Sequence, residues 1–169
     1  IIVGRKTTGT LVIDNLLGGR NLFIMGTGTG LAPFLSVIKD PETYERFSKV
    51  VLLHGCRYVN ELAYGEMISK TLPQDELLGE MVRNQLIYYP TVTRDPFQNR
   101  GRIPDLMKSG QLFGDVGLAK LDAEQDRVMI CGSPGLLVDM KELLREWGFV
   151  EGNHGEPGHF VVEKAFAER

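Results

Sequence analysis

Hydrophobic positions along the chain alternate between two patterns. Five short blocks are apolar at nearly every position: Leu22-Phe23-Ile24-Met25, Val50-Val51-Leu52-Leu53, Leu86-Ile87-Tyr88-Tyr89, Arg127-Val128-Met129-Ile130 and Phe160-Val161-Val162. Such blocks predict strands covered on both faces, as in a parallel sheet. Between them the spacing turns helical. Leu31, Phe34, Leu35 and Ile38 follow the i, i+3, i+4, i+7 stripe, with Pro33 tolerated in the first turn and Asp40-Pro41 as the stop. A second helix is expected from Asn60 to about Leu72, and two short ones at Ile103 to Lys108 and Gly110 to Leu118. Leu136, Leu137, Met140, Leu143, Leu144 and Trp147 give the clearest amphipathic helix, closed by Gly148. The expected fold class is α/β, a doubly wound five-stranded parallel sheet with helices on both faces.

Residues 1–19 break this rhythm. Ile1-Ile2-Val3 and Thr10-Leu11-Val12-Ile13 flank a Gly/Thr turn and read as an antiparallel pair, too small to be stable alone. They are taken as the remnant of a preceding β domain, with residues 20–169 as a second domain. The chain opens in mid-strand without Met or a signal pattern, and is expected to be the C-terminal part of a longer polypeptide. A length of 169 residues suits one domain plus a fragment, and 43% hydrophobic residues exclude a disordered chain. Nineteen basic against 22 acidic side chains give a net charge of −3, which argues against nucleic acid as the partner. No apolar run approaches the ~20 residues of a membrane span. Cys56 and Cys131 form no metal framework and are expected to be reduced thiols of a cytoplasmic protein.

Candidate chemistry gathers at the strand ends. Gly26-Thr27-Gly28-Thr29-Gly30 joins the first strand to the first helix, where glycine permits a sharp turn and a helix start offers free N–H groups to a pyrophosphate. No Gly-Lys-Ser/Thr follows, so the phosphate loop of ATPases and GTPases is excluded. The third glycine also comes one residue early for the common dinucleotide fingerprint, and a tight turn without a ligand stays open. Domains that read NAD usually place an acid after the second strand. Here that strand ends His54-Gly55-Cys56-Arg57, and Arg94 and Arg102 follow the third strand. Guanidinium groups converging at one edge suit a 2′-phosphate, which an acid would repel. The alternative is three solvated loop arginines.

At this point the residues become recognisable. Gly26-Thr-Gly-Thr-Gly-Leu-Ala-Pro-Phe34, Cys131-Gly132-Ser133-Pro134 and the ending Val162-Glu163-Lys164-Ala165-Phe166 together resemble the C-terminal half of ferredoxin–NADP⁺ reductases, most closely the bacterial type. The resemblance covers almost the whole chain. It implies a two-domain flavoenzyme in which an N-terminal β-barrel holds FAD and an α/β domain holds NADP(H), passing electrons between NADPH and ferredoxin or flavodoxin. It implies that Arg57, Thr93, Arg94 and Arg102 bind the 2′-phosphate and adenosine end. Gly26 to Gly30 and Gly132 to Pro134 would lie along the pyrophosphate and nicotinamide, with Asp139 as a further NADP-side position. Ala165 and Phe166 would pass beside the flavin, although this chain ends Ala-Phe-Ala-Glu-Arg where plant-type relatives end in Tyr. The flavin-binding Arg-x-Tyr-Ser/Thr motif of the family is absent, so FAD would be held mainly by the missing barrel.

Thr27 and Cys131 are the candidates for positions nearest the reacting nicotinamide, with a packing role for Cys131 as the alternative; Cys56 reads as structural. His154, Glu156 and His159 form His-x-Glu-x-x-His, but Gly155, Pro157 and Gly158 keep them off one helix face, and no metal is expected. The whole protein is expected to be a cytoplasmic monomer, with basic residues such as Arg5, Lys6 and Arg20 facing the carrier. Two other classes remain open: another FAD-dependent NAD(P)H reductase on the same scaffold, and a non-catalytic NADP(H)-binding module.

Overall fold

The computed structural model describes residues 11–165. Strands β1 (Asn21–Thr27), β2 (Lys49–Cys56), β3 (Leu86–Val92), β4 (Asp126–Gly132) and β5 (Phe160–Lys164) form one sheet in the order β3-β2-β1-β4-β5. Every neighbouring pair is parallel. Each apolar block of the sequence is the centre of a strand. The chain winds outward from β1 to β3, then crosses to β4, which puts the topological switch between β1 and β4.

Successive residues of a strand face opposite sides, and the sheet divides its apolar side chains accordingly. Leu22 and Ile24 of β1 and Val50 and Leu52 of β2 face a layer built from α1 (Phe34–Ile38), α2 (Pro41–Arg46) and α3 (Gly79–Gln85). Phe23, Met25, Val51 and Leu53 face α4 (Ile103–Lys108), α5 (Gln111–Val116) and α6 (Pro134–Glu146). Phe23 meets Phe113 edge to face at 6.3 Å between ring centres. Burying a large apolar side chain is worth about 1.5–3 kcal/mol, so a one-residue slip in β1 would forfeit both layers at once.

The helices differ from the sequence reading in three places. The first is a 3-10 turn, Gly28–Leu31, followed by α1 of five residues. Asp40 then starts α2 as well as stopping α1. Its carboxylate accepts the Glu42 N–H at 3.0 Å and Pro41 occupies the first turn, a start signal read only as a stop. The single helix expected from Asn60 to Leu72 is instead a 3-10 turn (Val59–Glu61), a π turn (Met67–Thr71) and a second 3-10 turn (Leu72–Gln74). Tyr64, at φ 65°, is left-handed and cannot sit within a right-handed helix. Helix α3 follows where no helix was expected.

Of the expected N-terminal antiparallel pair, Ile1-Ile2-Val3 and Thr10 lie outside the described residues, as do Arg5 and Lys6. Leu11 to Ile13 carry no strand; Ile13–Asn15 form one 3-10 turn. Leu11, Ile13 and Leu16 pack into the first layer, and the Leu17 N–H donates to Gly158 O at 2.9 Å.

At the amino edge of the sheet, opposite the site described below, Arg127 of β4 is only 4% exposed. Its guanidinium donates to the carbonyls of Leu17 (3.2 Å), Ala123 (2.8 Å) and Gly18, tying the segment that enters β1 to the loop that enters β4. Beside it the Asn21 amide donates to Asp126 at 2.9 Å. Replacing the guanidinium by an apolar chain of similar length would orphan those carbonyls. Arg127→Met is expected to cost about 2–4 kcal/mol, read from urea unfolding followed by circular dichroism. An unchanged midpoint would contradict the clamp.

Candidate functional site

Parallel strands end at one edge, and a cleft of about 930 Å³ opens there, within the size of a small-molecule site. It is lined by Thr27 from β1, Cys56 at the end of β2 and Arg57 just after it, Thr93 beyond β3, Gly132 at the end of β4 with Ser133 and Pro134 at the start of α6, and Ala165 beyond β5. Arg102 and Ile103 at the start of α4 close the side.

The glycine run divides into two roles. Thr27, Gly28 and Thr29 line the cleft. Gly28 has φ 56°, a conformation glycine adopts at little cost. Gly30 lies behind, so close to the carbonyl of Cys131 that a Cβ there would overlap it. Gly26 is inside β1, in register with Cys131. Thr27 bridges the switch: its Oγ1 accepts the Ser133 N–H at 3.1 Å and locks the ends of β1 and β4 together. Ser133 caps α6, its Oγ accepting the Leu136 N–H at 3.3 Å with Pro134 in the first turn. The positive end of this helix opens onto the cleft.

Arg57, Arg94 and Arg102 share this edge. Arg57 and Arg102 line the cleft itself. The Arg57 guanidinium has no hydrogen-bond or ion-pair partner among the described residues, whereas Arg102 is paired with Asp139 across from α6. Arg94 is not among the residues that line the cleft. It donates to the Tyr58 hydroxyl at 3.1 Å and lies 5.7 Å from the centre of that ring, while its backbone N–H donates to Arg57 O at 2.9 Å.

Cys131 is 2% exposed and lies beneath the lining rather than on it. Burial pushes its thiol up to about 11, with Glu163 adding to the effect. The Ala165 N–H donates to Gly132 O at 3.2 Å, holding the tail against the cleft; Phe166 lies outside the described residues. His159 accepts the Val150 N–H at Nδ1, 2.9 Å, and no group of three potential metal ligands occurs among the described residues.

Several participants escaped the sequence reading. Glu61 lines the cleft, and its carboxylate accepts the N–H groups of Arg57 at 2.9 Å and Tyr58 at 3.2 Å, folding the arginine loop on itself. The four-residue spacing from Arg57 to Glu61 was the only signal for it. Left-handed Tyr64, 51% exposed, forms part of the wall and had no signal. His54, fully buried, accepts or donates at Nδ1 to the Tyr88 hydroxyl (2.9 Å) and at Nε2 to Cys56 (3.4 Å). Burial lowers its pKa to about 4.

The donor set fits a phosphorylated dinucleotide. A helix start and a glycine turn offer uncharged N–H donors, and the guanidinium groups of Arg57 and Arg102 line the same cleft. Glu61, the carboxylate nearest Arg57, is already engaged by backbone donors.

The family model described as the oxidoreductase NAD-binding domain matches residues 24–142. The chain is 54% identical over 170 residues to a ferredoxin–NADP reductase of Pseudomonas aeruginosa, covering 100% of this chain and 66% of that protein. It is 57% identical over 167 residues to a ferredoxin–NADP reductase A of Sorangium cellulosum, covering 99% and 60%. It therefore spans less than two thirds of the relatives it matches. A crystal structure of a ferredoxin NADP⁺ reductase from Neisseria gonorrhoeae, with bound FAD and NADP, superposes with a TM-score of 0.81 at 28% identity, over 94% of this chain and 61% of that one.

The burial of His54 has a consequence for stability. The folded state holds the ring neutral down to about pH 4, whereas the unfolded chain protonates it near pH 6.5. The unfolded state therefore binds more protons in between. Stability from this group is complete above pH 6.5 and is lost as pH falls towards 4, with about 2 kcal/mol gone by pH 5. Urea unfolding at pH 7.5 and pH 5 is expected to show that loss in the wild type and a smaller one in His54→Gln. Equal losses in both proteins would contradict a buried neutral ring.

Proposed function

This chain belongs to the family of oxidoreductase NAD-binding domains, and on that footing we propose that it is the NADP(H)-binding part of a ferredoxin– or flavodoxin–NADP⁺ reductase. The relatives' names support the reading, as does the donor set of the cleft. Residues 20–169 would be the dinucleotide domain and residues 1–19 the end of a flavin domain. The observation that carries the NADP(H) assignment is Arg57: an unpartnered guanidinium lining the cleft after β2, where readers of NAD place an acid.

The two cofactors, NADP(H) and FAD, would supply hydride transfer and single-electron delivery when bound. The chain's own residues bind and orient. Arg57 and Arg102 hold the 2′-phosphate, Arg102 exchanging its contact with Asp139 for the ligand. Arg94 with Tyr58, and Thr93, flank the adenosine end. Thr27 to Thr29 and the start of α6 at Gly132, Ser133 and Pro134 take the pyrophosphate. Thr27, fixed by its bond to Ser133, orients the nicotinamide end, and Ala165 brings the tail to the flavin side. Buried Cys131 shapes the floor from below; its high pKa keeps it a neutral thiol and no nucleophile. Anchoring by the remote phosphate is how binding energy fixes the reacting end.

The same reading implies a cytoplasmic monomer that exchanges electrons with ferredoxin or flavodoxin. No helix among the described residues is long and apolar enough to cross a membrane.

Titration calorimetry of this chain tests the assignment. The wild type is expected to bind NADP⁺ more tightly than NAD⁺. Arg57→Ala should lose about tenfold or more for NADP⁺, the equivalent of one charge-assisted hydrogen-bond pair, and leave NAD⁺ affinity unchanged. Equal losses for both nucleotides would contradict it.

A further inference from the structure

An acid lines a cleft read as the site of a phosphate dianion, and the binding roles above give it no task. Glu61 opens onto the same cleft as Arg57. Its charge alone would repel the group that Arg57 attracts.

The contacts of Glu61 resolve this. One carboxylate oxygen, Oε2, accepts two successive backbone N–H groups, Arg57 at 2.9 Å and Tyr58 at 3.2 Å. The next N–H along the chain, that of Val59, goes to a second carboxylate, Asp95 Oδ2, at 2.8 Å. Acids from two stretches of chain therefore take three consecutive donors of the arginine loop. Hydrogen bonds to an ionised acceptor are roughly twice as strong as those between neutral groups. The carbonyl of Arg57 is engaged as well, by the Arg94 N–H at 2.9 Å.

Glu61 is itself tied down. Its carbonyl accepts the S–H of Cys56 at 3.4 Å, and its N–H donates to Tyr58 O at 3.1 Å. Cys56 is the last residue of β2, so the loop is closed back onto the strand it leaves. What Glu61 does not touch matters equally. Among the described residues no ion pair joins it to the Arg57 guanidinium, whereas Asp139 does pair with Arg102. The acid grips the backbone that carries the cation and leaves the cation itself unneutralised.

We infer that Glu61 is a positioning residue: its carboxylate holds the main chain of Arg57 so that the guanidinium is preorganised for the 2′-phosphate. This rests on the reading of the cleft as an NADP(H) site. Glu61 does not bind the ligand; it acts through Arg57. A loop fixed in its binding conformation beforehand spares the complex the cost of ordering it. That gain exceeds the repulsion from one solvated carboxylate, which salt screens.

Titration calorimetry in about 0.15 M salt, where the Debye length is about 8 Å, tests this with NADP⁺ and NAD⁺. Glu61 is exposed, so its substitution opens no cavity in the core. Glu61→Ala is expected to weaken NADP⁺ binding about fivefold, the equivalent of about 1 kcal/mol, and to leave NAD⁺ unchanged. Glu61→Gln keeps an oxygen that can accept the same two N–H groups and loses the charge, so it should bind NADP⁺ at least as tightly as the wild type. Added to Arg57→Ala, Glu61→Ala should cost nothing further, because the two residues act as one unit. Unchanged or tighter NADP⁺ binding in Glu61→Ala would overturn the inference. So would equal losses for both nucleotides, no recovery in Glu61→Gln, or a further fivefold loss in the double variant. A wild type without preference for NADP⁺, or an Arg57→Ala that binds it normally, would instead overturn the reading of the cleft, and this inference with it.

Discussion

The structure depends on one geometric constraint: a sheet whose strands all run the same way must gather all their carboxyl ends at one edge. Burial on both faces enforces it here. Leu22, Ile24, Phe23 and Met25 each have a covered layer to enter, so β1 cannot reverse or slip without exposing them. Residues from five separated stretches of chain then meet within one cleft. The switch between β1 and β4 makes the opening, and Gly30, pressed against the Cys131 carbonyl, allows the two strand ends to approach. Covalent order contributes little to the site; strand polarity contributes nearly all of it.

Two kinds of group then face the cleft. The turn and the start of α6 offer N–H groups without net charge. Arg57 and Arg102 supply cations on a chain whose overall charge is −3. Three of the groups around them are neutral: His54 is held uncharged by burial, and the thiols of Cys56 and Cys131 are raised above their ordinary range. A protein of this sign does not attract polyanions in general, so attraction for a phosphate is confined to where the guanidinium groups converge. The contact between Arg102 and Asp139 keeps one of those cations oriented across the mouth of the cleft.

The sheet was legible in the sequence because fully buried parallel strands are apolar at every position, and Val50 to Leu53 could be nothing else. The positions of Thr27, Arg57 and Ser133 were legible for the same reason: each follows a strand block directly. What the sequence hid depended on local backbone chemistry or on contacts between distant residues. Left-handed Tyr64 divides what reads as one helix, and no periodicity announces it. Asp40 carries one residue type for two jobs, ending α1 and capping α2. The separation of Arg94 from the cleft follows from its stacking on Tyr58, a contact between two loops. His54 gave no sign of its partners, since Tyr88 lies 34 residues away and only strand register brings the two together. The roles of the site residues in binding remain those proposed above.

The central claim is that cations at the carboxyl edge of the sheet hold the 2′-phosphate of NADP(H). Phosphorus NMR of NADP⁺ bound to this chain, followed from pH 8 to pH 5, tests it most directly. A phosphate monoester ordinarily takes up its second proton near pH 6. Held by guanidinium groups, the bound 2′-phosphate should remain a dianion at least one pH unit lower, with its resonance displaced from that of the free nucleotide. A 2′-phosphate that titrates as in free solution, while the pyrophosphate resonances shift on binding, would contradict the claim.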